Sequence, residues 1–509
     1  MLSIRPSFLE FSSLLRKGNL VPVCCEILAD QDTPVSAYLK LKPGPHGFLL
    51  ESVEGGERWA RFSFLGTGAA SVFRCRGRRI EVMEKGGKPR REEAEDPFFA
   101  FRDFMKRYRP VPSADLPRFY GGAVGYLGYD TVRFFERLPE RAEQVLDVWD
   151  IYMVVPECML IFDNISHTIR VVSCCYLPDH ANPKEAYQAT VERIEKTVER
   201  LRAPLRPKVP QKTDGKLHVK ANMRRKEYLD AVKKTKAYVR SGDIIQAVLS
   251  QRLEVQEAAD PFSLYRALRL VNPSPYMFFL QYPHYALVGS SPEVLVRVEG
   301  TSVEVRPIAG TRPRGGTPRA DEKLATELRR DEKELAEHIM LVDLGRNDVG
   351  RVSAPGTVEV EDLMVCERYS HVMHLVSHVK GRLARGKDCF EAFRACFPAG
   401  TLSGAPKIRA MEIIEELEPH RRGPYGGAVG YFSYSGNMDM AIVIRTILAM
   451  RDRLYLQTGA GIVADSKPAR EYQECLNKAR AMIKAIQWAR QGFSLAEDWE
   501  EGVVYDLHD

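Results

Sequence analysis

No run of about eighteen apolar residues occurs in the 509 positions of this chain, so no helical membrane span is expected. The start, MLSIRPSFLEF, puts Glu10 where a secretion signal would need an apolar core. There are ten cysteines, including the neighbours Cys24–Cys25 and Cys174–Cys175, but no CxxC spacing. That absence argues against a zinc ribbon or a disulfide framework and for reduced thiols in a cytoplasmic protein. The net charge is only +6, much of it in KANMRRKEYLDAVKKTKAYVR. No aromatic platform or binding motif interleaves those charges, so they read as a solvated helix face rather than a nucleic-acid surface. A mild positive bias also suits a small anionic substrate.

What is present is a large soluble-type composition, 44% hydrophobic and 28% charged, long enough for two or three domains. APLRPKVPQKTDGK is rich in Pro and Lys and aperiodic, and it marks a linker. The division expected is an N-terminal region 1–202, a linker 203–219, a catalytic domain 220–490 and a tail 491–509. Strand-like runs such as FLLESV, YMVVPECMLIF, YALVGSSPEVLVRVEG and MAIVIRTILAM are joined more by hairpin turns than by regular βαβ crossovers. The fold class expected is therefore α+β, with large, mostly antiparallel sheets flanked by helices. The heptapeptide YGGAVGY occurs twice, at 120–126 and 425–431. Read as a strand, it sets Gly, Ala and Gly on one face, bare enough for another backbone to approach.

Several segments carry chemistry. DEKELAEHIMLVDLGRND has helical periodicity, with Leu335, Ile339 and Val342 as its apolar stripe and Glu334 and Glu337 on a neighbouring face. In SKPAREYQECLNKA, Glu471, Glu474 and Lys478 share one helical face. Two carboxylates three apart on each of two helices could bracket a hard cation; each pair alone is an ordinary solvated face. The ExxEH at 334–338 does not fit a di-iron bundle, because His338 follows Glu337 directly, and the zinc signature HxxEH fails at Glu334. His371, His374 and His378 in RYSHVMHLVSHV allow zinc, structural and catalytic readings alike. LQTGAGIVADS has the outline of a dinucleotide loop but no helix opening at it, and PAGTLSGAPK lacks a GK[ST] ending; both read as tight turns or anion pockets.

As an ordered set, SSPEVLV, RPIAGTRPRG, LAEHIMLVDLGRND, HVMHLVS, FPAGTLSGAPK, the second YGGAVGY, IVIRT, TGAGIV and EYQECLNKA resemble the chorismate-utilising enzymes. FLLES, ERWARFSFLG and the first YGGAVGY resemble the regulatory half of the anthranilate synthase component I branch. Three features choose that branch. Gln246 stands where water-adding relatives carry a basic lysine; Ala309 stands in PIAGT where aminodeoxychorismate synthases carry lysine; and LLES with NPSPYMFFL resembles a tryptophan feedback site.

The resemblance implies these roles. Glu293 is the acid for the leaving hydroxyl, His374 serves pyruvate elimination, and Thr401, which lines the ring site, and Gln246 are the other catalytic positions. Gly310, Thr311, Tyr425, Arg445, Gly459, Ala460, Gly461 and Lys478 bind substrate. Mg2+ is ligated directly by Glu337 and Glu474, and through water by Glu334 and Glu471. L-Tryptophan is held near Glu51, Ser52, Arg61, Pro275, Tyr276, Met277, Val429 and Tyr431. None of the cysteines lies in a Gly-x-Cys-x-Gly context, which implies a separate glutamine amidotransferase partner, in a heterotetramer of two large and two small subunits. An aminodeoxychorismate synthase and a non-catalytic tryptophan or chorismate sensor are the alternatives.

Overall fold

The computed structural model describes residues 2–53, 61–113, 115–180, 182–205, 213, 215–257, 259–369, 372–493 and 502–506. His371 and the first residues of ERWARFSFLG lie outside them. The frame is two large sheets, of fourteen and twelve strands among the described residues. Their pairing is antiparallel nearly throughout, the exception being Leu217–Ala221 beside Val503–Asp506. With helices packed against the sheets, this is the α+β class the sequence suggests.

Each sheet is drawn from both ends of the chain. In the first, Leu20–Leu28, Thr168–Tyr176, Cys158–Asp163, Phe62–Thr67 and Phe48–Glu51 run up to Tyr276–Gln281, and Tyr285–Ser291, Thr446–Met450, Arg453–Ile462 and Gln246–Gln256 continue the order. In the second, Val294–Glu299, Met438–Ile442 and Ala428–Ser433 adjoin Gly122–Leu127, Ile151–Val155 and Ser71–Arg76. The seams are FLLE against YMFF, with Leu50 opposite Phe278, and one YGGAVGY copy against the other, with Gly125 opposite Gly430. A core of aromatic and branched side chains from both sheets, including Phe64, Tyr126, Phe278, Leu287, Val429 and Tyr431, fills the space between them.

The expected division at 203–219 thus separates stretches of sequence rather than sheets. Residues 217–219 belong to a strand, not to a linker, and Val503–Asp506 pairs with that strand instead of trailing as a tail.

The repeated heptapeptide behaves partly as its composition suggests. A Cβ on Gly125 would sit 1.9 Å from the Tyr152 carbonyl oxygen, and one on Gly430 would sit 2.0 Å from that of Asp439. The glycines are there for close backbone approach. The second copy, however, becomes a strand only at Ala428. Gly426 has φ +73° and Gly427 donates to the Pro424 carbonyl, so Tyr425 rides on a turn and does not share a strand face with Tyr431.

A second difference concerns the helix Glu332–Gly350. Its buried face is His338, Leu341, Val342 and Gly345, while Ile339 is 49% exposed. The expected stripe through Ile339 was displaced because His338 is wholly buried, with Nε2 2.6 Å from the Ser377 hydroxyl. A buried polar side chain is tolerated there because it has a hydrogen-bond partner inside.

Candidate active site and a second pocket

Two chain crossovers between the sheets run side by side. Tyr285–Ser291 in the first sheet passes through Pro292 and Glu293 into Val294–Glu299 in the second. Met438–Ile442 in the second sheet passes through Arg445 into Thr446–Met450 in the first. They are tied together: Ile442 N–H donates to the Glu293 carbonyl at 3.0 Å, and Ser290 N–H to the Arg445 carbonyl at 3.2 Å. Where strands part to change sheets, side chains at the break face the gap instead of a sheet surface. Arg445 takes φ +50° to make the turn, a strained conformation for a non-glycine residue.

The Glu293 carboxyl accepts a 3.0 Å hydrogen bond from the Thr401 hydroxyl. Desolvation outweighs that bond and the attraction of Lys478, and pushes the carboxyl up to about 8. It is therefore an acid that still carries its proton near neutral pH. His374 lies opposite Thr311 in the pairing of Val372–Arg382 with Ile308–Pro313, where a bulge leaves Gly310 at φ +66°. Its Nδ1 is 3.0 Å from the Gly310 carbonyl, which can only accept, so Nδ1 carries the hydrogen and Nε2 keeps its lone pair. Burial depresses this imidazole's pKa, aided by the positive Arg445, so it stays neutral. His378, on the same strand, is occupied instead by Glu304 at 2.9 Å.

Tyr425 is buried, and a Cβ on Gly459 would lie 2.9 Å from its hydroxyl. A Cβ on Gly461 would lie 2.5 Å from the Gln246 amide nitrogen. Gln246 is 3% exposed, and its Oε1 has no hydrogen-bond partner among the described residues. The strand Thr446–Met450 covers Arg453–Ile462 only as far as Leu456. Gly459, Ala460 and Gly461 therefore present one backbone edge to the gap. Lys478 donates to the Gly459 carbonyl at 2.8 Å. Arg445 makes no side-chain hydrogen bond or ion pair among the described residues, and burial lowers its pKa. A buried guanidinium without an anion is a ready carboxylate receptor.

The four carboxylates lie on the helices Glu332–Gly350 and Pro468–Arg490, and Glu337 on the first is within electrostatic reach of Glu474 on the second. Burial and then the neighbouring charges of Glu334 and Glu474 raise the Glu337 pKa; burial, and with it Glu474, raises that of Glu471. Glu334 is paired with Arg312 at 3.1 Å and Glu474 with Lys478 at 2.7 Å. No three His, Cys, Asp or Glu side chains among the described residues form a closed metal cage. Repelling carboxylates of this kind fit a magnesium ion, which takes one or two protein carboxylates and completes its shell with water and substrate oxygens.

A second pocket, about 70 Å³, lies between the two seams. Glu51, Ser52, Pro275, Tyr276, Met277, Val429 and Tyr431 all line it, as sequence grouped them. Arg61 does not: it is paired with Asp163 at 2.8 Å on the outer side, over the Phe62 ring. Three charged lining residues, Arg118, Arg297 and Asp439, escaped the sequence reading. Asp439 binds Arg297 at 2.9 Å, Arg118 at 3.3 Å and the Tyr276 hydroxyl at 3.0 Å. Charged letters inside the apolar runs NMDMAI and VLVRVE were the available signal. Glu51 is also engaged, by Arg269 at 3.1 Å and by the Tyr265 hydroxyl.

Comparison with known proteins gives the family and the fold. Residues 49–484 match the family model for chorismate binding enzymes. The anthranilate synthase component 1 of Pseudomonas putida is 48% identical, over 95% of this chain and 98% of its own. That of Thermus thermophilus is 50% identical, over 91% and 97%. Among solved structures, anthranilate synthase component I from Streptococcus pneumoniae superposes with a TM-score of 0.75 at 36% identity, covering 90% of this chain and 98% of that one. The menaquinone-specific isochorismate synthase of Escherichia coli shares the fold, with a TM-score of 0.70 at 16% identity. The chain belongs to the chorismate-binding enzymes and, within them, to the anthranilate synthase component 1 group.

Proposed function

We propose that this chain converts chorismate and ammonia to anthranilate and pyruvate, the first committed step toward tryptophan. In this reading it depends on Mg2+, is inhibited by L-tryptophan, and takes its ammonia from a glutamine amidotransferase partner in a cytoplasmic heterotetramer of two large and two small subunits. The observation that carries the reading is Glu293, a protonated carboxyl fixed by Thr401 at the break between the sheets. Hydroxide leaves poorly near neutral pH, and a carboxylic acid there can hand its proton to the departing C4 hydroxyl. Ammonia adds at C2 and needs no base to activate it, consistent with Gln246 in place of a lysine.

In the second step the Nε2 lone pair of His374 takes the ring proton at C2. The ring aromatises as the bond from ring C3 to the ether oxygen breaks with its electrons on that oxygen, and the enolpyruvate released takes up a proton at its methylene carbon to become pyruvate. Arg445, Tyr425 and the 459–461 backbone hold the enolpyruvyl carboxylate, with Lys478 adding charge nearby. Gly310, Thr311 and Thr401 line the ring. Glu337 and Glu474 would hold the magnesium ion, with Glu334 and Glu471 reaching it through water; it would neutralise the ring carboxylate.

The direct assay is anthranilate fluorescence from chorismate, MgCl2 and an ammonium salt at alkaline pH, with and without tryptophan. Anthranilate formation sustains the reading. A product that needs a separate lyase to aromatise would assign aminodeoxychorismate instead, and tryptophan binding without turnover would leave only a sensor.

Two variants sharpen this. Arg445→Lys keeps the charge but loses the planar fork, and the chorismate KM should rise about 10–100-fold, the weight of a charged hydrogen bond. An unchanged KM would remove Arg445 from the substrate site. Asp439→Asn should raise the tryptophan concentration for half-inhibition at least tenfold, with kcat/KM in its absence within twofold of the parent. Retained sensitivity would count against feedback through this pocket.

A further inference from the structure

One face of the strand Gln246–Gln256 carries Gln246, Val248, Ser250 and Arg252 at alternate positions. The paired strand sets Gly461, Gly459 and Gln457 opposite the last three. The glycine end of this face floors the site described above; the Arg252 end does not belong to it. Arg252 is 5% exposed. Its Nη2 lies 3.2 Å from His420 Nδ1, while its Nη1 is buried without a hydrogen-bond partner, and no carboxylate pairs with it among the described residues.

Arg252 borders a cavity of about 30 Å³ that is also lined by Arg422, Tyr425, Thr446, Gln457 and Leu146. On this measure one water needs about 10–15 Å³, so the space admits a carboxylate with a short stem. Arg422 offers no competing vacancy, because it is bonded to Glu418 and to the carbonyls of Leu402 and Val248. Tyr425 contributes to this cavity while its hydroxyl abuts Gly459 on the substrate side.

A guanidinium kept from water, with Nη1 left without an acceptor and only His420 on Nη2, is costly unless something binds it, and a carboxylate is the group that fits its fork. We propose that this cavity is a second anion subsite that takes a small monocarboxylate at Arg252, and that its occupant during turnover is the pyruvate released on the other side of Tyr425. The subsite stands on geometry alone; naming pyruvate as its occupant rests on the function proposed above.

The test is titration of the full-length chain with sodium pyruvate, sodium acetate and sodium chloride, followed by calorimetry and by 13C line broadening of labelled pyruvate. Parallel assays measure pyruvate inhibition of the ammonium-dependent reaction. Both carboxylates should bind the parent protein. Arg252→Met should weaken them at least tenfold and Arg252→Lys less, with the chorismate KM within twofold. Leu146→Phe, which narrows the cavity and leaves the arginine in place, should weaken pyruvate binding likewise, so the test survives a poorly folding Arg252 variant. Pyruvate inhibition should be noncompetitive with chorismate and should fade in both variants.

Unchanged affinity in Arg252→Met, purely competitive inhibition, or binding of chloride but of neither carboxylate would overturn the subsite. Carboxylate binding that depends on Arg252 in a chain making no anthranilate would uphold the subsite and overturn only pyruvate as its occupant.

Discussion

Glu293→Gln should lower kcat by roughly a thousandfold, within the range that a positioned general acid contributes, and leave the chorismate KM nearly unchanged. The amide preserves shape and can still accept from Thr401, but it has no proton of suitable acidity to give. The pH profile supplies a second signature. Because the folded carboxyl is pushed up to about 8, the protonated form persists through neutrality and is lost above pH 8. With free ammonia held constant, kcat should be flat below pH 8 and then fall about tenfold per pH unit, as for loss of one essential proton. Stability follows the same sign. A group whose folded pKa is raised favours the fold fully at low pH, and that contribution is lost as pH rises through the folded value. At pH 9 Glu293→Gln should therefore melt higher than the parent, an exchange of activity for stability. A flat profile to pH 10, or a glutamine variant with a tenth of parental activity, would remove Glu293 from the acid role.

The largest effect on stability is expected from Arg422→Met. Arg422 is 2% exposed, with Nε and Nη2 on Glu418 at 2.9 and 2.6 Å and the carbonyls of Leu402 and Val248 both at 2.7 Å. Glu418 also accepts from the amide and hydroxyl of Ser250. Removing the guanidinium strands a buried carboxylate, which costs about 3–5 kcal/mol. Replacing both partners, as Arg422→Met with Glu418→Leu, should recover only the part that comes from the stranded charge, because the Ser250 amide and the Leu402 and Val248 carbonyls stay unpaired. Urea denaturation of the three proteins measures it. A single variant within about 1 kcal/mol of the parent, the range of an exposed pair, would mean the pair is not sealed from water. Activity at permissive temperature should fall too, because Leu402 adjoins Thr401 and Tyr425 lies three residues on.

The placement of the candidate site was legible where a motif holds one residue type at a fixed place: Glu293 in SSPE, His374 in HVMHLVS, and the residues of LLES and NPSPYM that share the second pocket. Family resemblance supplied those roles, and local periodicity placed their helices and strands. What stayed hidden depended on partners far away in sequence. Asp439 meets Arg297 and Arg118 only because two strands and a loop from different parts of the chain converge. Arg252 is left with His420 as its partner while Glu418 is bonded to Arg422, a sorting of charges that no local pattern reveals. Ile339 faces solvent because Ser377, on another strand, draws His338 inward. The resemblance grouped Arg61 with the pocket, but Asp163 holds it outside.

The two seams also bear on synthesis. Phe48–Glu51 and Gly122–Leu127 each have a partner more than two hundred residues downstream. A nascent chain that has emerged through residue 202 therefore holds two apolar strand edges, of four and six residues, with nothing to pair them. Such edges invite aggregation, and pairings this distant in sequence form slowly. Residues 1–202 made alone should come out insoluble. Co-expressed with residues 203–509 as a separate chain, they should return to the soluble fraction.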